Sequence, residues 1–146
     1  MPLKLYIAAP LFSEAERRFN LDLKQQLSTV FRVYLPQDDG GLYTDLLRDG
    51  ISAAEARSAV FRADIEELRS CDLLLIVLDG RTIDEGACFE LGYAYAIGKR
   101  CIGLQTDSRR LLPSGNNPMI DSAVVEMFSS CQEILIWAKG SYSSGA

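Results

Sequence analysis

The sequence predicts a single α/β domain: a five-stranded parallel sheet with helices on both faces, in a doubly wound, flavodoxin-like (Rossmann-like) arrangement. Short β-favouring runs alternate along the chain with amphipathic segments of helical length. The run 73–78 is almost entirely aliphatic, as expected for a central strand covered on both faces. The chain has 146 residues, 48% of them hydrophobic, which suits one core rather than two.

The elements predicted from these runs alternate in type along the chain. Ser13 is predicted to cap the first helix, which has acidic residues in its first turn and an apolar stripe that includes Leu23 and Leu27. The predicted strands are 3–9, 31–35, 73–78, 100–105 and 133–137, and the later helices are 53–69, 84–98 and 118–129. Right-handed crossovers then place all the strands in one parallel sheet.

Two segments fall outside this pattern. Residues 37–52 are weakly patterned and long for a connection in a small domain, so we predict a lid or a site wall there. The glycine- and serine-rich segment 140–146 is predicted to fray, which limits the domain to residues 1–139. Ligands of doubly wound sheets bind beyond the carboxyl ends of the strands, so the candidate site loops are 9–12, 36–41, 79–85 and 106–110.

The charge balance argues against nucleic acid as a partner. The chain has 15 Lys and Arg against 20 Asp and Glu, a net charge of -5, and no basic run that could neutralise a phosphate backbone. The apolar run near Met1 is too short for a signal peptide core or a membrane span. We therefore expect a cytoplasmic protein with no membrane contact.

The absence of histidine restricts the chemistry that the chain can perform. The four cysteines are far apart, form no Cys-x-x-Cys pair and have no histidine to complete a zinc site, so we expect reduced, buried thiols at Cys71, Cys88, Cys101 and Cys131. Without imidazole, general acid and base catalysis falls to Asp, Glu, Tyr, Lys or Cys. Any enzymatic interpretation must therefore rely on carboxylates.

The segment 84–96 carries the most informative pattern. In a helix that begins near Asp84, Glu90 shares its face with Gly86, Ala87 and Ala94, since residues three and four apart are neighbours. Small neighbours leave room for a ligand, whereas a merely solvated glutamate usually has polar residues on its face. Glu90 is therefore a candidate for direct contact with a ligand.

Asp84 and Glu90 together allow more than one interpretation. Two acidic groups at the mouth of a strand suit glycosidic chemistry, because one carboxylate can trap an oxocarbenium-like centre while the other serves the leaving group. The same pair could hold Mg²⁺, but phosphate-using magnesium sites usually include a glycine-rich anion cradle, and none follows the first strand. We predict neither a metal nor a cofactor. Asp84 could also be only a helix cap.

Several motifs, in order through most of the chain, resemble the nucleoside 2-deoxyribosyltransferase family. They include the opening Tyr-Ile-Ala-Ala-Pro-Leu-Phe at 6–12, an aspartate before Cys71-Asp72, and Asp84 followed six residues later by Glu-Leu-Gly-Tyr-Ala. Gly98-Lys99 and Asn-Pro-Met at 117–119 also match. The resemblance implies transfer of a 2-deoxyribosyl group between nucleobases, with 2'-deoxynucleosides and free bases as substrates and a role in nucleoside salvage.

The resemblance also implies roles for individual residues. Glu90 matches the family nucleophile that forms a deoxyribosyl ester, and Tyr6 matches a tyrosine that orients this carboxylate. Asp84 matches an aspartate that contacts the base and assists its protonation, and Asp64 matches a second aspartate near the base. Asn117 matches a residue that crosses a subunit boundary to hold the sugar hydroxyls, which implies a homo-oligomer. The further predicted substrate contacts are Phe12, Gln37, Asp38, Gly86 and Met119.

Each of these residues also has an ordinary structural interpretation. Tyr6 suits a strand, Asp64 suits a solvated helix face, and Asn117 suits the turn before Pro118.

Two other functions of the protein remain open. One is a non-catalytic binding module, because fold alone does not fix function.

The other is hydrolysis of 2'-deoxynucleoside 5'-monophosphates by a relative in the same superfamily. This activity needs an anion pocket, for which the candidates are Ser13, Arg17, Arg18, Arg109 and Arg110. Glu14 and Glu16 weaken that pocket electrostatically.

Overall fold

A five-stranded parallel sheet forms the centre of the molecule and confirms the predicted fold class. The structure is a computed structural model that describes residues 1–40, 43–110 and 112–142. All strand pairs are parallel, and the spatial order is β2-β1-β3-β4-β5. The strands are β1 Lys4–Ala8, β2 Arg32–Tyr34, β3 Leu73–Val77, β4 Arg100–Leu104 and β5 Glu126–Phe128.

The helices connect these strands and cover the sheet. They are α1 Glu14–Leu27, α2 Pro36–Asp39, α3 Tyr43–Arg48, α4 Ala53–Ser70, α5 Glu85–Ala96, α6 Pro118–Ala123 and α7 Cys131–Tyr142. The predicted cap of α1 is confirmed: the Ser13 hydroxyl accepts from the Glu16 amide, and the Glu16 carboxylate accepts from the Ser13 amide. In the described ranges, no helix is both long and apolar enough to span a bilayer.

The two faces of the sheet bury separate apolar layers. On one face, α1 and α7 cover a layer that includes Leu5 and Ile7 of β1. On the other face, α4 and α5 cover a layer that includes Tyr6 and Ala8. Because side chains alternate along a strand, Tyr6 necessarily points away from α1 and towards α4 and α5.

The predicted fifth strand is wrong, because residues 133–137 lie within α7. Ile134 and Ala138 are buried one helical turn apart, so the apolar run serves a helix face rather than a pleated strand. The predicted helix 118–129 is correspondingly too long. The helix in this region is α6, which ends at Ala123. The strand β5 follows and pairs with β4, and Phe128 is buried against the core.

Residues 37–52 contain two short helices rather than an irregular loop. Pro36 opens α2, where its fixed backbone angle suits the first helical turn. The segment α3 begins at Tyr43, after two positions that lie outside the described residues. The predicted fraying tail starts inside α7, which extends through Tyr142, and residues 143–146 lie outside the described residues.

The strand order places a crevice beside β1 and β3. The chain runs outward from β1 to β2 and then returns to form β3 on the other side of β1. In open α/β sheets, ligands bind at the carboxyl ends of the strands where the order reverses. The helices α1 and α5 both begin just beyond these ends, so α5 carries Glu90 into the crevice region.

Leu75→Ala is expected to destabilise the fold by about 3 kcal/mol, because it empties a fully buried site in the central strand. Urea unfolding should show a lower midpoint with an unchanged slope. The matched control Leu21→Ala changes a half-exposed leucine of α1 and should cost less than about 1 kcal/mol. Equal losses in the two variants would contradict the assignment of β3 to the sheet centre.

Candidate active site

The helix α5 starts at the Asp84 cap and presents two different faces. The Asp84 carboxylate accepts from the Ala87 amide at 2.8 Å, which fixes the first turn. Ala87, Leu91 and Ala94 are buried beneath the helix. Glu90 lies at the edge of this buried face, partly shielded from water and directed at the neighbouring strand.

A hydrogen bond joins Glu90 to the first strand. The Tyr6 hydroxyl donates to Glu90 Oε1 at 2.7 Å across 84 residues of sequence. Tyr6 is completely buried, and its ring stacks on Tyr34 of β2 with 5.4 Å between centroids. Burial, with Glu90 next, raises the pKa of Tyr6 far above its usual value, so the phenol remains a donor.

Glu90 borders a cavity of about 380 Å³ between α4 and α5. Asp64 lines the same cavity from α4, and Gly86 lines it from the first turn of α5. Most of the remaining wall is apolar or aromatic. The other lining residues are Tyr43, Arg57, Val60, Phe61, Ile65, Leu68 and Phe89.

The two acids of the cavity are strongly perturbed. Burial raises the pKa of Glu90 to about 8, the charges of Asp64 and Asp84 act in the same direction, and the Tyr6 hydrogen bond opposes them. Burial raises the pKa of Asp64 to about 6, with Glu67 adding to the shift and Tyr34 opposing it. Near neutral pH the pair therefore holds about one proton.

A second cavity, of about 620 Å³, adjoins the first. The two share Tyr43, Val60 and Asp64, so they lie side by side. Phe12, a predicted substrate contact, lines the second cavity at the carboxyl end of β1. Beside it, Arg17 donates to the carbonyls of Leu11 and Phe12 at 3.2 and 3.0 Å.

The structure brings some predicted residues together and separates others. Tyr6, Asp64, Gly86 and Glu90 meet at or against the first cavity, and Phe12 lines the adjoining one. Asp84 is close enough to raise the pKa of Glu90, but it does not line either cavity.

The prediction that Gln37 and Asp38 line the site is not supported by their contacts. The Gln37 amide oxygen accepts from Asn20 at 2.8 Å, and its nitrogen donates to the Arg17 carbonyl at 3.0 Å. Asp38 forms an ion pair with Lys24 of α1. Both side chains therefore hold α2 against α1 instead of facing either cavity.

Asn117 and Met119 line a different cavity, of about 270 Å³. The Asn117 amide oxygen accepts from the Met119 backbone at 2.9 Å and caps α6. Within one chain these residues are thus not part of the cavity of Glu90. A contribution of Asn117 to a neighbouring subunit stays a prediction.

Several lining residues were not predicted from the sequence, among them Arg57 and Phe61. They form one stripe of α4 with the predicted Asp64, spaced four and three residues apart, and all three line the cavity. That spacing was visible in the sequence, but it is also the spacing of an ordinary core face. Phe89 and Tyr43 have no sequence signal that separates them from surface aromatics.

Comparison with known proteins identifies the family of the chain. The sequence profile of the nucleoside 2-deoxyribosyltransferase family matches residues 5–135. An uncharacterized protein of Ureaplasma parvum is 31% identical over 103 residues, which are 66% of this chain and 62% of that protein. The chain thus spans less than two thirds of the length of this curated relative.

Solved structures share the fold over most of the chain. A conserved protein from Enterococcus faecalis superposes with a TM-score of 0.77 at 28% identity, covering 96% of this chain and 99% of the other. A 2-deoxyribosyltransferase from Bacillus psychrosaccharolyticus superposes with a TM-score of 0.74 at 23% identity, covering 90% of this chain and 89% of the other. A CMP N-glycosidase from Clostridium botulinum superposes with a TM-score of 0.59 at 18% identity, covering 92% of this chain and 96% of the other.

The chain belongs to the nucleoside 2-deoxyribosyltransferase family, because the profile covers nearly its whole length. The resemblance inferred from the sequence motifs is confirmed. Two of the solved structures that share this fold are named as a 2-deoxyribosyltransferase and a CMP N-glycosidase.

Replacing Glu90 by Gln is expected to stabilise the protein relative to wild type as pH rises. Folding raises the pKa of this carboxyl from 4.5 to about 8, so its ionised form is less stable in the folded protein than in the unfolded chain. The contribution of protonated Glu90 to the free energy of unfolding is therefore complete below about pH 4.5 and is lost as the pH rises from 4.5 to 8. Urea unfolding at pH 5 and pH 8.5 measures this difference.

The stability gap between the two proteins should widen by more than about 1 kcal/mol, since each unit of pKa displacement corresponds to about 1.4 kcal/mol. Glu66→Gln, which changes an exposed carboxyl of the same region, is the matched control. A gap for Glu90→Gln that does not change with pH would show that Glu90 is fully hydrated.

Proposed function

We propose that the protein transfers a 2-deoxyribosyl group between nucleobases through an ester on Glu90. The single observation that carries the proposal is the 2.7 Å hydrogen bond from Tyr6 to Glu90 at the wall of a cavity that also holds Asp64. Tyr6 fixes one carboxylate oxygen, which leaves the other available to a sugar.

The proposed reaction consists of two displacements. A Glu90 oxygen attacks the anomeric carbon, the N-glycosidic bond breaks, and its electron pair leaves with the base, which takes a proton from a neighbouring acid. A nitrogen of a second base then attacks the same carbon, Glu90 departs, and the acid recovers a proton. Two inversions give retention, and the kinetics are ping-pong.

Asp64 is the proposed proton donor to the leaving base. It lines the cavity with Glu90, and burial raises its pKa to about 6, so a minor fraction of the molecules carries a proton on Asp64 near neutral pH. Because Glu90 has the higher pKa, about 8, the one proton of the pair lies mostly on Glu90 near neutral pH. The proposed reactive form is the less populated one, in which the proton is on Asp64 and Glu90 is ionised. Asp84 is proposed to contact the base with the carboxylate oxygen that is not used in capping α5.

The active enzyme is proposed to be a homo-oligomer. Asn117 lines a cavity other than that of Glu90 within its own chain, so a sugar contact by Asn117 requires a neighbouring copy. Met119 is highly exposed beside it, as expected for a side chain that a partner covers. The sugar hydroxyls would then be held from the neighbouring subunit.

Glu90→Ala is expected to reduce base exchange by at least about 10³-fold, because the nucleophile is lost while Tyr6 and the cavity wall remain. Exchange of a labelled base into a 2'-deoxynucleoside measures the rate. Far-UV circular dichroism and the thermal midpoint verify folding. A folded variant with wild-type turnover would falsify the role of Glu90.

The pH profile of kcat/KM is expected to be bell-shaped, with limbs near pH 6 and pH 8. Asp64→Asn should lower kcat/KM by about 10²- to 10⁴-fold and remove the alkaline limb, because no acid is left to lose its proton. Asp84→Asn is the matched control, since asparagine also caps helices, and it should keep both limbs. An alkaline limb that disappears in Asp84→Asn instead would make Asp84 the donor.

Hydrolysis of 2'-deoxynucleoside 5'-monophosphates is the second candidate, supported by the arginines of the adjoining cavity. Arg17 and Arg48 both line it, but Glu16 lies close to Arg17, and Asp45 pairs with Arg48 at 3.0 Å. The other predicted anion contacts are engaged elsewhere: Ser13 caps α1, Arg18 pairs with Glu14, Arg109 pairs with Asp107, and Arg110 donates to Gln105.

The two candidate functions are separable by their products. Transfer predicts a new deoxynucleoside when a foreign base is supplied, whereas hydrolysis predicts free deoxyribose 5-phosphate from a monophosphate alone. The partial neutralisation of Arg17 and Arg48 ranks transfer first.

A further inference from the structure

The α4 wall of the Glu90 cavity carries three different chemical groups in a row. Arg57, Phe61 and Asp64 lie on one face of the helix and all line the cavity. From Arg57 to Asp64 the helix rises by about 10 Å, at 1.5 Å per residue. The row thus offers a cation, an aromatic face and an acid over a length comparable with a purine and its flanking contacts.

The aromatic part of this wall is exposed to solvent. Phe61 on α4 and Phe89 on α5 are 55% and 54% exposed, and their ring centroids are 6.0 Å apart. Two phenyl rings of adjacent helices that remain half exposed beside a cavity leave apolar surface for a further ring to cover. A planar nucleobase has the shape and the aromatic faces for this contact.

Arg57 is the cation in the residue set that lines this cavity. Across residues 1–40, 43–110 and 112–142, no hydrogen bond or ion pair of its guanidinium is present. Arg62 differs: it lies on the same helix and donates to Ser58 at 3.0 Å, away from the cavity. The Arg57 donors are therefore available to a bound molecule.

We propose that Arg57 is a specificity-determining residue that selects 6-oxopurine bases in the Glu90 cavity. The inference rests on the proposed function and names its preferred base. The base lies against Phe61 and Phe89 with its glycosidic nitrogen towards Glu90 and Asp64, and its O6/N7 edge reaches Arg57.

The chemistry of the base edges decides which base fits. A guanidinium presents two parallel N–H donors, and guanine and hypoxanthine present two adjacent acceptors, O6 and N7. Adenine replaces the O6 acceptor by an amino donor, which faces the arginine unfavourably, and cytosine also presents an amino group. Thymine and uracil offer a single oxygen on this edge, so one donor stays unpaired.

Binding of free bases tests the proposal without requiring turnover. Isothermal titration of hypoxanthine and adenine is performed on wild type, Arg57→Gln, Arg57→Lys and the control Arg62→Gln. Arg57→Gln should weaken hypoxanthine binding by about tenfold or more, since one bidentate contact discriminates by about 1–3 kcal/mol, and it should not weaken adenine binding, because glutamine can pair with the amino group and N7 of adenine. Arg62→Gln should match wild type.

Arg57→Lys separates the geometry of the contact from its charge. Lysine keeps the charge but lacks the paired donors, so hypoxanthine binding should stay weaker than in wild type. The result that overturns the proposal is an equal effect of Arg57→Gln on both bases, no effect on either, or no binding of hypoxanthine by wild type.

The failure of this inference and that of the proposed function are distinguishable. Arg57-dependent binding of hypoxanthine without base exchange would retain the base site and reject the transfer reaction. Base exchange with unchanged preference in Arg57→Gln would retain the reaction and reject this role of Arg57.

Discussion

The hydrogen bond between Tyr6 and Glu90 couples the sheet to α5, and the site depends on it. Tyr6 is fixed because its strand is covered on both faces and its ring stacks on Tyr34. A buried phenol needs a polar partner, and a carboxyl group near an apolar wall needs a donor. Each residue therefore meets the hydrogen-bonding requirement of the other, and Glu90 is held at a defined position.

The acidity of the site follows from the same burial. Removing Glu90 from water raises its pKa, and Asp64 across the cavity raises it further. The two groups cannot easily both ionise, so one proton remains with the pair. In the proposed reaction the proton is on Asp64 while Glu90 is ionised, so that one group acts as the nucleophile and the other as the acid for the leaving base.

The sequence was sufficient for the fold class and for the residues with a strong local signature. The cap of α5 at Asp84 and the shared helix face of Gly86 and Glu90 were predictable because their spacing is read directly from the chain, whereas their proposed roles come from the family resemblance. The strand 133–137 was mispredicted because four consecutive apolar residues suit either a buried strand or a helix face. The contact of Gln37 with Asn20 could not be predicted, because it depends on how α2 packs on α1, which is tertiary information.

The central claim is that Glu90 forms a covalent bond with the sugar. Incubation with a slowly reacting 2-fluoro nucleoside analogue, followed by mass measurement of the intact chain and its peptides, tests this most directly. The account predicts one added fluorosugar, located on the peptide that contains Glu90 and absent from Glu90→Ala. An unmodified wild-type chain that still exchanges bases, or an adduct on another residue, would contradict it.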